Sequence, residues 1–490
     1  MERIGISRFL PPYSDNIIIP NSTKSERYSL FGVYIYLIII EYNEKLIKKT
    51  RYDIMFLKIE NGENMKNSVR FILQIWGCLI GSIILGYFLL VIVYLIPTQR
   101  MRENVAVVSN QVSDEGSYYQ WAKGYKNAQI DTYTDASLYL NAMHPNTGKP
   151  FIDALNSPRL LYGDDNNEES VVLLAQETKS ETQEIQYGRY WHGSLTFLKP
   201  LLYIFDLADI RVLGMIVQMA LLFVAVSGFT KRELSNVLVG FFAAVIFINP
   251  VTMSLGFCFS VEYILMLIML NIVIYFHEEL MEGNRYYFFF LINGISFVYF
   301  NELSFPMIGL GFPLVAYLAL SKDEWKICLK KELIYTFFWG LGYSVMWFGK
   351  WILAWMITGY NYFAEALGQA ERYTSENATW EAVNPSIVDR IIKNVNVYMK
   401  WPYFITVFII IIAIIIMAKR RKIKNMGLGI IPFIIPIFMP IAIIIVLGNG
   451  YSYVHYWFTH RLLAISVFAV ISMMGLSKNV TLGCKYNKEK

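Results

Sequence analysis

From Phe71 to Ile96 the chain is an almost unbroken apolar run, closed by Pro97. A helix needs about 20 such residues to cross the hydrocarbon core of a bilayer. In that medium only a helix or a closed barrel satisfies its own backbone amides. Similar runs recur near 208–228, 236–249, 251–276, 286–301, 303–320, 333–357, 402–418, 427–447 and 462–476. Together they predict an all-α polytopic membrane protein of about ten transmembrane helices. The runs near 236 and 286 are short, which suits tilted or paired helices. Charged residues are 17% of the chain, against about 25% in a soluble domain. Mean hydropathy is +0.40. A soluble enzyme is excluded on these grounds, and no Walker loop, GxGxxG turn, HExxH or nucleophile elbow is present.

Lys and Arg in short loops orient the runs, because basic loops stay in the cytoplasm. Lys48, Lys49, Arg51, Lys58, Lys66 and Arg70 precede the first run, and alternation then places four more basic stretches on the same side. These are 230–233, 322–331, 419–424 and the tail from Lys485. The stretch 98–192 carries 8 Lys/Arg against 13 Asp/Glu and falls outside. The expected organisation is an N-terminal extension (1–64), a first transmembrane helix (65–97) and an extracytoplasmic loop (98–192). A bundle with a second outer loop at 358–401 (193–476) and a cytoplasmic tail (477–490) follow. That is a multi-pass protein of the cell membrane with both termini cytoplasmic and membrane lipids as its surroundings. The net charge of +5 is spread over these loops, so it records topology and gives no footprint for nucleic acid. Leu30 to Ile40 is too short to span, and translation from Met65 would give a short basic segment followed directly by a helix.

Acidic groups mark the outer loop. Asp131 and Asp135 stand four apart, which on a helix puts both carboxylates on one face. Such a pair suits general-base work or a divalent cation; the alternative is a solvated loop face. Asp114 and Glu115 form a second acidic pair nearer the first span. The acids from Asp164 to Glu169 read as solvated loop. Where the chain returns to the membrane, Arg189, Tyr190, Trp191, His192 and Lys199 combine cations with aromatic rings. That is the chemistry of an anion and sugar site, and equally of an interfacial anchor. Glu262, Glu302 and Lys350 lie within apolar runs, where a charge is costly and points to function. Lys350 can grip a phosphate or pair internally with Glu262 or Glu302. His455, His460 and Arg461 gather before the last run. In the second outer loop, Asn384 as N-cap and Pro385 in the first turn predict a surface helix to Tyr398. Ile387, Ile391 and Val395 would share its apolar face.

The segments DTYTDASLYLN (131–141), YGRYWHGSLTFLKPLL (187–202), YFNELSFPMIGLGFPL (299–314), MWFGKWILAW (346–355) and HYWFTHRLLAIS (455–466) carry a resemblance. With one span ahead of a large acidic outer loop, the chain resembles the GT-C superfamily of membrane glycosyltransferases. It looks most like uncharacterised Gram-positive bacterial relatives. That resemblance implies transfer of a sugar from a polyprenyl-phosphate donor to a cell-envelope glycan or lipid acceptor on the outer face. It puts the catalytic role on Asp131 and Asp135, with Asp114 and Glu115 as second choice. Arg189, Tyr190, Trp191, His192, Lys199, Glu302, Lys350, His455 and Arg461 would bind substrate. A transporter or flippase of lipid-linked saccharides is the alternative the residues leave open.

Overall fold

The computed structural model describes residues 62–163, 166–375, 384–420 and 428–476. The extension before Gly62, the acids Asp164 and Asp165, most of the basic 419–424 stretch and the tail from 477 lie outside them. The chain divides into two units, Met1–Gly81 and Ser82–Lys490. The described residues are 77% helical with little sheet. Among them, five helices are long and apolar enough to cross a membrane: Lys66–Tyr94, Leu207–Lys231, Phe257–Tyr275, Leu428–Val446 and Tyr456–Met474. Further helices, among them Ser235–Ile248, Arg285–Phe300, Ile308–Leu320, Trp325–Thr358 and Trp401–Arg420, cover the remaining apolar runs.

Burial sorts these helices. Ile308–Leu320 is apolar on every face and enclosed along almost its whole length, as a central helix must be. Leu207–Lys231 leaves Ile216 and Phe223 exposed, and Trp401 opens the Trp401–Arg420 helix with its ring exposed. Apolar surface on this scale belongs against lipid.

Local sequence moves several boundaries. The 251–276 run is broken: Pro250–Leu255 ends at Gly256, and Phe257–Tyr275 starts anew. Asn249, at φ +68°, closes one helix and caps the next, a left-handed position that Asn tolerates. Helix begins at Ile308 and not at 303, because residues 301–307 are spent on a loop. In the 358–401 segment the helix is capped by Ser386, and not by Asn384: Ser386 and Asp389 form a reciprocal capping box for Ile387–Asn396. That helix turns Arg390 and Asn394 inward. Ile387, Val388 and Ile392 are exposed, while Ile391 and Val395 are half-buried.

The 98–192 segment is itself folded. Helices Gln99–Ala106, Ser109–Glu115, Thr132–Met143, Pro150–Asn156 and Asn167–Ala175 surround an antiparallel pair of strands, Pro158–Tyr162 and Thr182–Gln186. Glu168 is buried in a helical first turn capped by Asn166, so this part of the acid run is not solvated. Thr132–Met143 sits at the heart of this layer. Asn141 accepts from Tyr94 Oη (2.5 Å) at the end of the first long helix and donates to Ser157 O (3.0 Å).

Candidate functional site

Asn127 ties the loop to the bundle. Its carbonyl accepts from Asn249 Nδ2 (3.2 Å), Thr252 Oγ1 (2.8 Å) and Arg461 Nη2 (3.1 Å). Its side chain meets Phe247 O, Tyr403 Oη and His460 Nε2. Arg461 also donates to Gln129 O (3.2 Å) and Trp457 O (3.0 Å), and Phe259 lies beneath its guanidinium. Arg461 and His460 are thus spent on holding residues 127–129. These contacts fix the turn that delivers Asp131.

The two carboxylates four apart have different fates. Asp131 stands before the first helical turn as the N-cap, accepting from Thr134 N (3.0 Å) and Thr134 Oγ1 (2.8 Å). Asp135, one turn on, points into the bundle. Its two oxygens accept from Phe257 N (2.7 Å) and Cys258 N (2.8 Å), capping a helix whose own N-cap is a glycine. They therefore do not share one open face. Burial raises Asp135, opposed by those amides. Burial also pushes Asp131 up to about 7, and the nearby charges that add to the rise are the carboxylates Asp135 and Glu168.

The other sequence candidates are distributed as follows. Glu115 is taken by Arg211 in a bidentate pair (2.6 and 2.7 Å), and Asp114 is exposed. Lys199 donates to Ala142 O (2.7 Å), under the Thr132–Met143 helix. Residues 189–192 lie along the Trp325–Thr358 helix. Trp191 Nε1 donates to Met346 O (2.8 Å), and Trp347 and Trp351 donate to Arg189 O (2.9 and 2.8 Å). Lys350 is fully enclosed, donates to Tyr190 O and lies in range of Glu302. It secures the returning chain and offers no open ammonium to a phosphate. His192 Nε2 faces Tyr187 O (2.8 Å) and Nδ1 faces Glu302 (2.9 Å). With a carbonyl on one side and a carboxyl on the other, both bonds form only if a proton lies between Nδ1 and Glu302. Arg189 pairs with Glu365 and stacks on Tyr187 and Tyr190, leaving its buried Nε unpartnered.

A second group of polar atoms gathers beside Asp131. Tyr451 lies in electrostatic range of Asp131, Glu262, Tyr343 and Tyr373, and donates to Ser304 O (2.9 Å). Glu262 accepts from Asn301 Nδ2 (2.6 Å) and Phe305 N (3.1 Å) through Oε1. Its Oε2 and the Tyr343 hydroxyl are both buried without a hydrogen-bond partner. Tyr373 links the clusters, since it neighbours Tyr187, Tyr190 and Tyr451 and stacks edge-on to the last at 5.2 Å. His455 borders this group through Tyr451 and Tyr373. Tyr118, opposite Asp131 in the turn that pairs Tyr119 with Ile130 and Ser117 with Tyr133, packs its half-exposed ring on Trp457 at 5.1 Å.

Asn127, Tyr343 and Tyr373 were not candidates by sequence; an isolated Asn or Tyr in an aromatic-rich chain carries no signal of its own. Among the described residues no group of three His, Cys, Asp or Glu could hold a metal ion. Asp135 meets two amides of another helix while Asp131 meets Thr134, so the two carboxylates turn to different partners. The chain matches no protein-family model, no curated protein and no solved structure.

Proposed function

We propose that this chain is a GT-C-like membrane glycosyltransferase of the cell membrane. In this reading it has about ten spans, both termini are cytoplasmic, and residues 98–192 lie outside. It transfers a sugar from a polyprenyl-phosphate donor to a cell-envelope glycan or lipid at the outer face. The observation that carries the reading is Asp131. It is a buried carboxylate at the N-cap of the Thr132–Met143 helix, held by Thr134; burial pushes it up to about 7, and Tyr451 lies in electrostatic range of it and of Glu262. A general base works best when its pKa lies near the operating pH.

In the proposed step the acceptor hydroxyl gives its proton to Asp131. Its oxygen bonds to the anomeric carbon as the bond from that carbon to the phosphate oxygen breaks. The polyprenyl phosphate leaves with the electron pair, and direct displacement inverts the centre. Arg189, with an unpartnered Nε beside the Tyr187–Tyr190–Tyr373 group, is the cation assigned to the departing phosphate.

The test is complementation of a deletion strain with wild-type or Asp131→Asn protein, reading cell-envelope glycans by mass spectrometry. Transfer should fall roughly 10²–10⁴-fold in the variant at equal protein level. Full product from Asp131→Asn would overturn the assignment. Lipid-linked saccharide trapped on the inner leaflet of the deletion strain would instead favour the flippase reading.

A further inference from the structure

Glu262 and Tyr343 are polar groups that the fold leaves unfinished. Buried polar atoms in folded proteins are almost always paired, so an orphan calls for a specific cause. Here there are two in one place. Glu262 spends Oε1 on Asn301 and Phe305 and leaves Oε2 bare; Tyr343 buries its hydroxyl with nothing to bond. The two groups lie in electrostatic range of each other and are not hydrogen-bonded to each other. Glu262 belongs to the second turn of the Phe257–Tyr275 helix, whose N-terminus Asp135 caps. Tyr451 lies in electrostatic range of both groups and of Asp131.

The chemistry of the pair narrows what can complete it. A phosphate oxygen only accepts and is repelled by a carboxylate. An ammonium only donates: it can meet Glu262 Oε2 and the Tyr343 oxygen but leaves the Tyr343 O–H without an acceptor. A hydroxyl does both at one atom: it donates to Glu262 Oε2 and accepts from Tyr343 Oη. A sugar ring offers several such hydroxyls. We propose that Glu262 and Tyr343 form a subsite that grips a hydroxyl of the donor sugar and holds the ring beneath Asp131. The proposal rests on the glycosyltransferase reading. The donor is favoured over the acceptor because the pair sits on two apolar helices, where a lipid-anchored substrate arrives from the membrane, whereas Asp131 sits on the outer loop.

The test uses full-length protein in nanodiscs and two probes that differ only in the sugar: undecaprenyl phosphate, and a panel of undecaprenyl-phosphate monosaccharides. Wild type should bind at least one sugar-bearing lipid about tenfold more tightly than the bare lipid phosphate, the effect of one well-made buried hydrogen bond. Tyr343→Phe removes a hydroxyl that has no partner in the free protein, so folding should be unchanged. It should shrink the preference to roughly twofold or less while leaving binding of the bare lipid phosphate as it was. Equal binding of both lipids by wild type, or a preference untouched by Tyr343→Phe, overturns the subsite and leaves the enzyme assignment standing. Failure to bind either lipid overturns both.

Discussion

Where residues 189–192 cross the Trp325–Thr358 helix, three indole N–H groups and the Lys350 ammonium all end on backbone carbonyls. At Glu262 and Tyr343, both in electrostatic range of Tyr451, a carboxylate oxygen and a phenol have no hydrogen-bond partner. Both places look equally functional in sequence, since each puts ionisable residues in or beside apolar runs. The contrast separates them. At the first junction the indoles and Lys350 close a seam between the returning chain and the helix, and only Arg189 keeps an unpartnered Nε; at the second, the unpartnered carboxylate oxygen and phenol are what the proposed subsite is built from.

The contrast is broken most forcefully at Lys350. Lys350→Met leaves the Tyr190 carbonyl unmet and removes a positive charge from beside Glu302. Leaving one member of a buried charged set uncompensated costs roughly 3–5 kcal/mol. The folded fraction on detergent size exclusion should collapse, and what remains should melt well below wild type. A normal melting temperature with weakened lipid binding would return Lys350 to the substrate side. Asp135 gives a smaller effect of the same kind. Asp135→Asn exchanges one acceptor for a donor facing an amide, for a loss of about 1–3 kcal/mol. Its residual activity, measured on the folded fraction, should stay near normal. Loss of turnover at unchanged stability would make Asp135 a chemical group after all.

Much of this arrangement was legible from residue order. Each apolar run became helix, because a long run of apolar side chains in lipid leaves the backbone few other solutions. The segments around 189 and 350 were each singled out, and they prove to be partners. Their pairing was hidden because contact between residues 160 apart has no periodic signature in one chain. Spacing alone misjudged the carboxylates. Four residues apart implies one helix face, but the helix begins after Asp131, so one acid caps it and the other reaches a different helix. Glu168 was misjudged for a related reason: an acid run looks solvated until tertiary packing covers one member. Gly256 could have been read as a break in the 251–276 run, since Gly is a weak helix former. No sequence rule could have found Tyr343, whose interest lies in a partner it lacks.

The proposed chemistry turns on the protonation of Asp131. Burial raises its folded pKa to about 7 from an ordinary value of 3.8. The folded state therefore favours the protonated acid. Ionisation costs stability, a cost absent below about pH 4 and fully present above about pH 7. The base form, which the proposed reaction needs, grows in over the top of the same interval. Difference infrared spectroscopy of wild type minus Asp131→Asn reads this carboxyl directly and requires no substrate. A protonated-carboxyl band present at pH 5 and lost with a midpoint near pH 7 is the predicted result. A carboxylate already fully ionised at pH 5 would contradict it.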